Sequence, residues 1–583
     1  MTSRAVLLAV LALSAAAAPA ASAADCPAGA QCGRVTVPLD HSGRTPGTLQ
    51  LAYAKLPATG TRSGTLVLLT GGPGQAAVPL TTNFAKLITP LRASYDVVAV
   101  DQRGSGASGA VDCSFDAPSD ITDCATKLGD KRAFFSTPET ARDLDDLRAA
   151  LGVDKLSLYG VSYGASIAAA YARLFPARTA AVVLDSPTPV DGLDGVDQLR
   201  TFGTPRVLRE VCYPGLCHAT VSDPDAALEK AIARLKQGAL RGPLVDAAGR
   251  VKREKVTQSA LYSLISASDL LPALRAGLPA AIASLAEGDA APLLHLAAVV
   301  APTTGGGSSD VNSARLLATT CMESRLPWAP DSPVASRSDA LKAFAAARAD
   351  AFAPFSPSVV LDNAATSLCA TWPPTPRPEA LPYGGPDVPV LVISGRQDLR
   401  TPTESAHRTA AQYPHAILLR VASAGHSVLS TDVSGCARAG MMAFLRGQAV
   451  QQCNKAKQDR FTMLAAPYAP ATIDTLRPIR LPGRPGRTLS ALTVTLTGVG
   501  FDTATRTGSF RLPGLRAGFV RGRGSRLELH GVSWIDGVRV SGTISGRAGG
   551  TLTLSGPAAA AGSVTYSRQG VAGTLGGVPF SVR

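Results

Sequence analysis

The sequence predicts an α/β fold, an open, doubly wound, mostly parallel sheet with an inserted helical cap and a small all-β C-terminal domain. Three observations predict it. Continuous apolar runs such as Thr65-Leu-Val-Leu-Leu69 and Tyr95-Asp-Val-Val-Ala-Val100 end in glycine-rich turns, as strands buried on both faces do. Helical segments alternate with these runs. Strand character stops after Ala180-Ala-Val-Val-Leu184 and returns only at Val388-Pro-Val-Leu-Val-Ile-Ser394, and residues 191–385, about 195 of them, are an insertion between two halves of one sheet.

Each element has its own signal. Gly33-Arg-Val-Thr-Val-Pro-Leu-Asp40 and Leu49-Gln-Leu-Ala-Tyr-Ala-Lys55 alternate like half-buried strands. The run at Thr65 ends in Gly71-Gly-Pro-Gly74, and the run at Tyr95 ends in Asp101-Gln-Arg-Gly-Ser-Gly106. Residues 140–152 place Leu144, Leu147 and Leu151 on one helical face. Leu156-Ser-Leu-Tyr-Gly160 then runs into Val161-Ser162-Tyr163-Gly164 and a small-residue helix. Residues 191–385 read as helices and loops, with a flexible Gly305-Gly-Gly-Ser-Ser-Asp310. Val388–Ser394 and Ala416-Ile-Leu-Leu-Arg-Val421 resume the sheet. Beyond Leu476, short runs such as Leu492-Thr-Val-Thr-Leu496 and Thr551-Leu-Thr-Leu554 lie between glycines and read as strands. The expected division is a leader (1–23), the first half of the core (24–190), the insertion (191–385), the second half (386–470) and a basic β-rich domain (476–583).

Composition narrows the class. Of 583 residues, 45% are hydrophobic and 17% charged, which excludes a disordered chain. Arg4, an apolar stretch from Ala5 to Leu13 and Ala21-Ser-Ala23 form a secretory leader cleaved after Ala23, so secretion is expected. No later run has the length of a membrane span; that around 293–303 is interrupted by His295 and Pro302. Ten cysteines follow the leader, and proximity pairs them as Cys26–Cys32, Cys113–Cys124, Cys212–Cys217, Cys321–Cys369 and Cys436–Cys453. None has zinc-site spacing, so neither a metal nor a cofactor is expected. From Arg477 onward there are 14 arginines against three acids, a net +11 of the chain's +14. That imbalance suits an anionic cell-surface polymer; sparse aromatics and the lack of a recognition motif argue against nucleic acid.

Gly160-Val-Ser162-Tyr-Gly164 between a strand and a helix suits a serine held on a tight turn. A serine nucleophile needs a base and an acid to orient it. Each should lie at the carboxyl end of a strand. His426, in Gly425-His-Ser427 after the last strand, fits the base, whereas His407, His415 and His530 do not. Asp398, four residues past Ser394, fits the acid better than Asp387 or Asp432. Two backbone N–H groups should receive an oxyanion: that of Tyr163, after the nucleophile, and that of Gly72, in the loop after the third strand.

Taken in order, Gly71-Gly-Pro-Gly74, Asp101-Gln-Arg-Gly-Ser-Gly106, Gly160-Val-Ser-Tyr-Gly164, Val183-Leu-Asp-Ser-Pro187, Gly395-Arg-Gln-Asp-Leu-Arg-Thr-Pro402 and Gly425-His-Ser427 resemble the α/β-hydrolase serine peptidases of the secreted tripeptidyl aminopeptidase and proline iminopeptidase group. Val37-Pro-Leu-Asp40, Glu287-Gly-Asp289 and Cys321-Met-Glu323 are similar to the tripeptidyl branch. The likeness spans residues 32–453. Thr70 departs from it, standing where the iminopeptidases carry histidine, and so does Gln75-Ala-Ala. The resemblance implies a serine aminopeptidase that releases short peptides or single residues from free N-termini through an acyl-enzyme. It also implies a carboxylate in the cap that receives the substrate ammonium. Glu323 is the candidate, with Glu210, Asp269 and Glu287 as rivals. The same triad would serve a secreted esterase or lipase-like hydrolase, and an inactive core with a surface-binding β-domain is a third reading.

Overall fold

In the computed structural model, which describes residues 26–582 apart from 114–117, 214–216, 218–220, 305–310, 383, 454–465, 505, 547–548 and 569, the apolar runs pair into one eight-stranded sheet. The expected leader and the glycine-rich 305–310 loop lie outside the described residues. The strands are β1 (Gln31–Pro38), β2 (Thr48–Leu56), β3 (Gly64–Leu69), β4 (Tyr95–Val100), β5 (Leu156–Val161), β6 (Thr179–Asp185), β9 (Val390–Gly395) and β10 (Ile417–Val421); β7 and β8 form a separate hairpin described below. Their spatial order is β1-β2-β4-β3-β5-β6-β9-β10. The first two strands are antiparallel additions, and β4 through β10 are parallel.

The central strands are apolar throughout because both faces are covered. Leu66, Val67 and Leu69 on β3, Leu156 and Leu158 on β5 and Leu391, Val392 and Ile393 on β9 are wholly buried. One face packs on the helices Thr137–Ala150 and Tyr163–Leu174 through Leu144, Leu147, Ile167 and Tyr171. The other packs on Thr81–Leu87 and Cys436–Leu445 through Phe84 and Met441. Parallel pairing has a consequence for the site: the carboxyl ends of β3, β5, β6, β9 and β10 lie along one edge.

The chain leaves this sheet after β6 and rejoins it at β9, where Val182 pairs with Val390 and Leu184 with Val392. The sheet is thus interrupted in sequence but not in space. The intervening region is mainly helical, with a core of Leu208, Leu228, Ile232, Tyr262, Leu278 and Phe355. It also contains a hairpin, β7 (Leu240–Val245) with β8 (Val251–Val256), that the reading of helices and loops did not include. The ten cysteines form the five disulfides that proximity suggested.

At the C-terminus eight antiparallel strands between Ser509 and Val582 form a meander in which each pairs with the next. One expected strand is a helix instead. Leu492–Leu496 lies inside Gly483–Thr503. Leu489, Leu492 and Val499 share one buried face of that helix, packed on Val520 and Leu529 of the sheet and on Trp534 just after a strand. Its threonines, which favour strands on propensity alone, turn their hydroxyls back onto the helix: Thr493 donates to Leu489 O and Thr495 to Ala491 O. This unit docks on the insertion through a buried His295–Asp502 pair at 2.8 Å, and Arg516 pairs with Asp289.

Candidate active site

Ser162 sits at φ 57° and ψ −122°, a conformation that a non-glycine residue adopts only when its surroundings hold it there. The two flanking glycines show what holds it. A Cβ on Gly160 would lie 2.2 Å from Gly164 O, and one on Gly164 would lie 2.2 Å from Leu69 O. Strand β5, the helix after it and the end of β3 therefore meet more closely than any side chain permits. The Ser162 N–H donates to Asp185 O on β6 at 2.9 Å. Tyr163 opens the helix, so its N–H belongs to the first turn, whose donors have no intrahelical acceptor.

The loop after β3 runs against the serine. A Cβ on Gly71 would lie 2.9 Å from Ser162 Cβ and 3.3 Å from its Oγ. Gly72 follows at φ 108°, where an L side chain would be strained and would meet Gly74 N at 2.8 Å. Gly71, next to Gly72, thus lies against Ser162, and Tyr163 follows it in the chain.

The histidine and acid loops converge on the same edge. His426 Nδ1 lies 2.9 Å from Asp398 Oδ2, and both residues are buried. The Asp398 carboxylate accepts the N–H groups of Arg400 and Thr401 on Oδ1 and the Thr401 hydroxyl on Oδ2. Burial alone would raise its pKa, but His426 and these bonds outweigh that and hold it below the ordinary carboxylate value. Asp185 and Ser186 fasten the histidine loop to the serine's side of the sheet. Val428 N–H and Leu429 N–H donate to the Asp185 carboxylate at 2.9 Å each, and Ser427 N–H donates to Ser186 Oγ at 3.0 Å.

Residues set aside in the sequence have other surroundings. His407, His415 and His530 are exposed, as is Asp387. Asp432 accepts Ser434 N–H and Ala437 N–H at the start of the Cys436–Leu445 helix. Thr401 was overlooked, although it stood inside a quoted motif: its hydroxyl lies 3.1 Å from His426 Nδ1 as well as on Asp398.

Glu323 ends the Ser313–Glu323 helix of the insertion, tethered by Cys321–Cys369. Its carboxylate accepts Thr137 N–H at 2.5 Å and Thr137 Oγ1–H at 2.6 Å, and Thr137 Oγ1 in turn lies 2.9 Å from the Tyr163 hydroxyl. Burial raises its pKa against the pull of those bonds and of Arg315. It borders a cavity of about 620 Å³ that includes Ala165 and Ser166, one turn into the helix after Ser162, but whose lining does not include Ser162 itself. Of its rivals, Glu287 is an exposed partner of Lys230, Glu210 pairs with Arg396, and Asp269 is buried between the acid and histidine loops.

Among the described residues His41, Asp143 and Asp146 come close enough to suggest a metal. Arg103, however, lies 2.6 Å from Asp143 and supplies the positive charge there.

The α/β hydrolase fold family matches residues 64–215, and the TAP-like protein family matches residues 355–456. A serine protease Hip1 of Mycobacterium tuberculosis is 29% identical over 441 residues, 67% of this chain and 81% of that one. A tripeptidyl aminopeptidase of Streptomyces lividans is 27% identical over 455 residues, 70% of this chain and 79% of that one. A crystal structure of a proline iminopeptidase from Mycobacterium smegmatis aligns with 71% of this chain and 98% of its own at 14% identity and a TM-score of 0.34.

Proposed function

The chain belongs to the α/β-hydrolase serine peptidases, in the group of the tripeptidyl aminopeptidases and proline iminopeptidases, and on that premise we propose that Ser162, His426 and Asp398 are its catalytic triad and that it releases short peptides from free N-termini. The observation that carries this reading is the joining of a strained serine turn to a buried His426–Asp398 pair by one residue, Asp185.

In this mechanism His426 accepts the Ser162 proton as Oγ attacks the peptide carbonyl, and Asp398 holds the imidazole with Nδ1–H toward its own Oδ2. The Gly72 and Tyr163 N–H groups receive the developing oxyanion. His426 then donates its proton to the leaving amine, and water repeats the sequence on the acyl-enzyme. Glu323 is the proposed acceptor of the substrate ammonium. Its carboxylate oxygens have lone pairs beyond the two bonds from Thr137, and a charge-assisted bond in a half-buried site discriminates against a blocked terminus.

Five disulfides accord with secretion into an oxidising compartment. The exposed Arg511, Arg521, Arg523 and Arg526 on neighbouring C-terminal strands support contact with an anionic cell-surface polymer.

The test is a panel of short peptides with free or acylated N-termini, alongside p-nitrophenyl esters. Cleavage of the free-amine peptides, lost on acylation, is expected. Turnover of esters alone would replace the peptidase reading with an esterase on the same triad.

A further inference from the structure

We propose that Arg275, carried by the inserted region, is a positioning residue that holds the His426 and Asp398 loops in register, so that the insertion completes the catalytic centre. The inference rests on the triad proposed above. Arg275 lies in the Pro272–Ala286 helix and is 2% exposed. Its Nη1 donates to Ser268 O at 2.6 Å and to Asp269 O at 3.1 Å, and its Nε donates to Gln397 Oε1 at 2.8 Å.

Those three acceptors reach both loops of the triad. Asp269 O, besides facing Arg275, accepts the N–H of His426 itself at 3.1 Å. Asp269 Oδ1 accepts the N–H of Leu399, the residue after Asp398, at 2.7 Å. Gln397 is the residue before Asp398, and its N–H donates to Ala424 O in the histidine loop at 3.0 Å. One guanidinium therefore fixes the carbonyl that holds His426 and the side chain that precedes Asp398. The approach is close enough to account for Gly425: a Cβ there would lie 2.2 Å from Asp269 O and 2.6 Å from Arg275 Nη1.

Removing the guanidinium should loosen the loops that carry His426 and Asp398 and so lower kcat in a folded enzyme that still binds substrate. A guanidinium that only stabilised the fold would change the unfolding curve and leave kcat alone.

The experiment compares Arg275→Met, Arg275→Lys and Gln397→Ala with the parent full-length protein. It uses the best substrate of the panel and labelling by a fluorophosphonate. Arg275→Met is expected to lower kcat at least tenfold with KM changed less than about twofold, and to slow labelling in proportion. Arg275→Lys, which keeps a cationic donor, should recover part of the lost kcat. Gln397→Ala removes an acceptor without touching the guanidinium and should lower kcat in the same sense; if Arg275→Met does not fold, this variant decides. A folded Arg275→Met or Gln397→Ala with the parent kcat would overturn the inference while Ser162 labelling of the parent left the triad standing. Failure of the parent to label at Ser162 would instead remove the triad.

Discussion

Asp185 binds Ser162 through its main chain and the histidine loop through its side chain. Its carbonyl accepts the Ser162 N–H at 2.9 Å, while its carboxylate accepts Val428 N–H, Leu429 N–H and the Tyr159 hydroxyl. An amide at this position must present an NH2 group to one set of those donors. Asp185→Asn is therefore expected to cost about 1–3 kcal/mol of stability and to lower kcat more than it raises KM. Urea unfolding and steady-state kinetics check it; an unchanged kcat would show that the two loops find their places without this residue.

Gly160 and Gly164 are required by contact rather than by backbone angle. Alanine at either would place a Cβ 2.2 Å from a carbonyl oxygen of the packed backbone. Each substitution should destabilise the chain by ~2 kcal/mol or more and reduce soluble yield. Thermal unfolding of Gly164→Ala at parent Tm would contradict the packing described.

Glu323→Gln keeps an acceptor for Thr137 but removes the charge proposed to meet the substrate ammonium. The expected result is a rise in KM of ~10-fold for free-amine peptides, equivalent to about 1.4 kcal/mol, with acylated peptides and esters unaffected. Equal effects on all substrates would mean that Glu323 acts only on the start of the Thr137–Ala150 helix.

Asp269 makes stability depend on pH in a defined direction. Burial, with repulsion from Asp398, pushes its carboxyl up to about 6, while in the unfolded chain it titrates near 3.8. The folded state thus retains a proton that the unfolded state has lost, so this residue's contribution to stability declines as pH rises from about 4 to about 6. Asp269→Asn should raise Tm at pH 7.5, by at most about 3 kcal/mol of stability, and the gain should vanish near pH 4. A gain that persisted at pH 4 would assign it to something other than this charge.

The sheet strands, the serine turn and the acid and histidine positions were legible because each has a local signature. Buried strands are continuous apolar runs, and the site residues follow strand ends at short distances. The Gly483–Thr503 helix was not legible because Leu-Thr-Val-Thr-Leu alternates as a strand does. Only the packing of Leu489, Leu492 and Val499 against Trp534 and the strands around it decides otherwise. Thr401 stood in a quoted motif, yet its contact with His426 depends on how β9 and β10 abut. Arg275 gave no signal at all: it lies 122 residues from Gln397 in sequence, and nothing in its own helix distinguishes it from a surface arginine.

The account stands on Ser162 as the nucleophile, and the most direct measurement is the mass of the intact protein after a fluorophosphonate, followed by peptide mapping. One adduct per chain on Ser162 is predicted, absent from Ser162→Ala, whose turnover should fall by about 10⁴-fold or more while its unfolding curve is retained. An adduct on another residue, or turnover at the parent rate by Ser162→Ala, would contradict it.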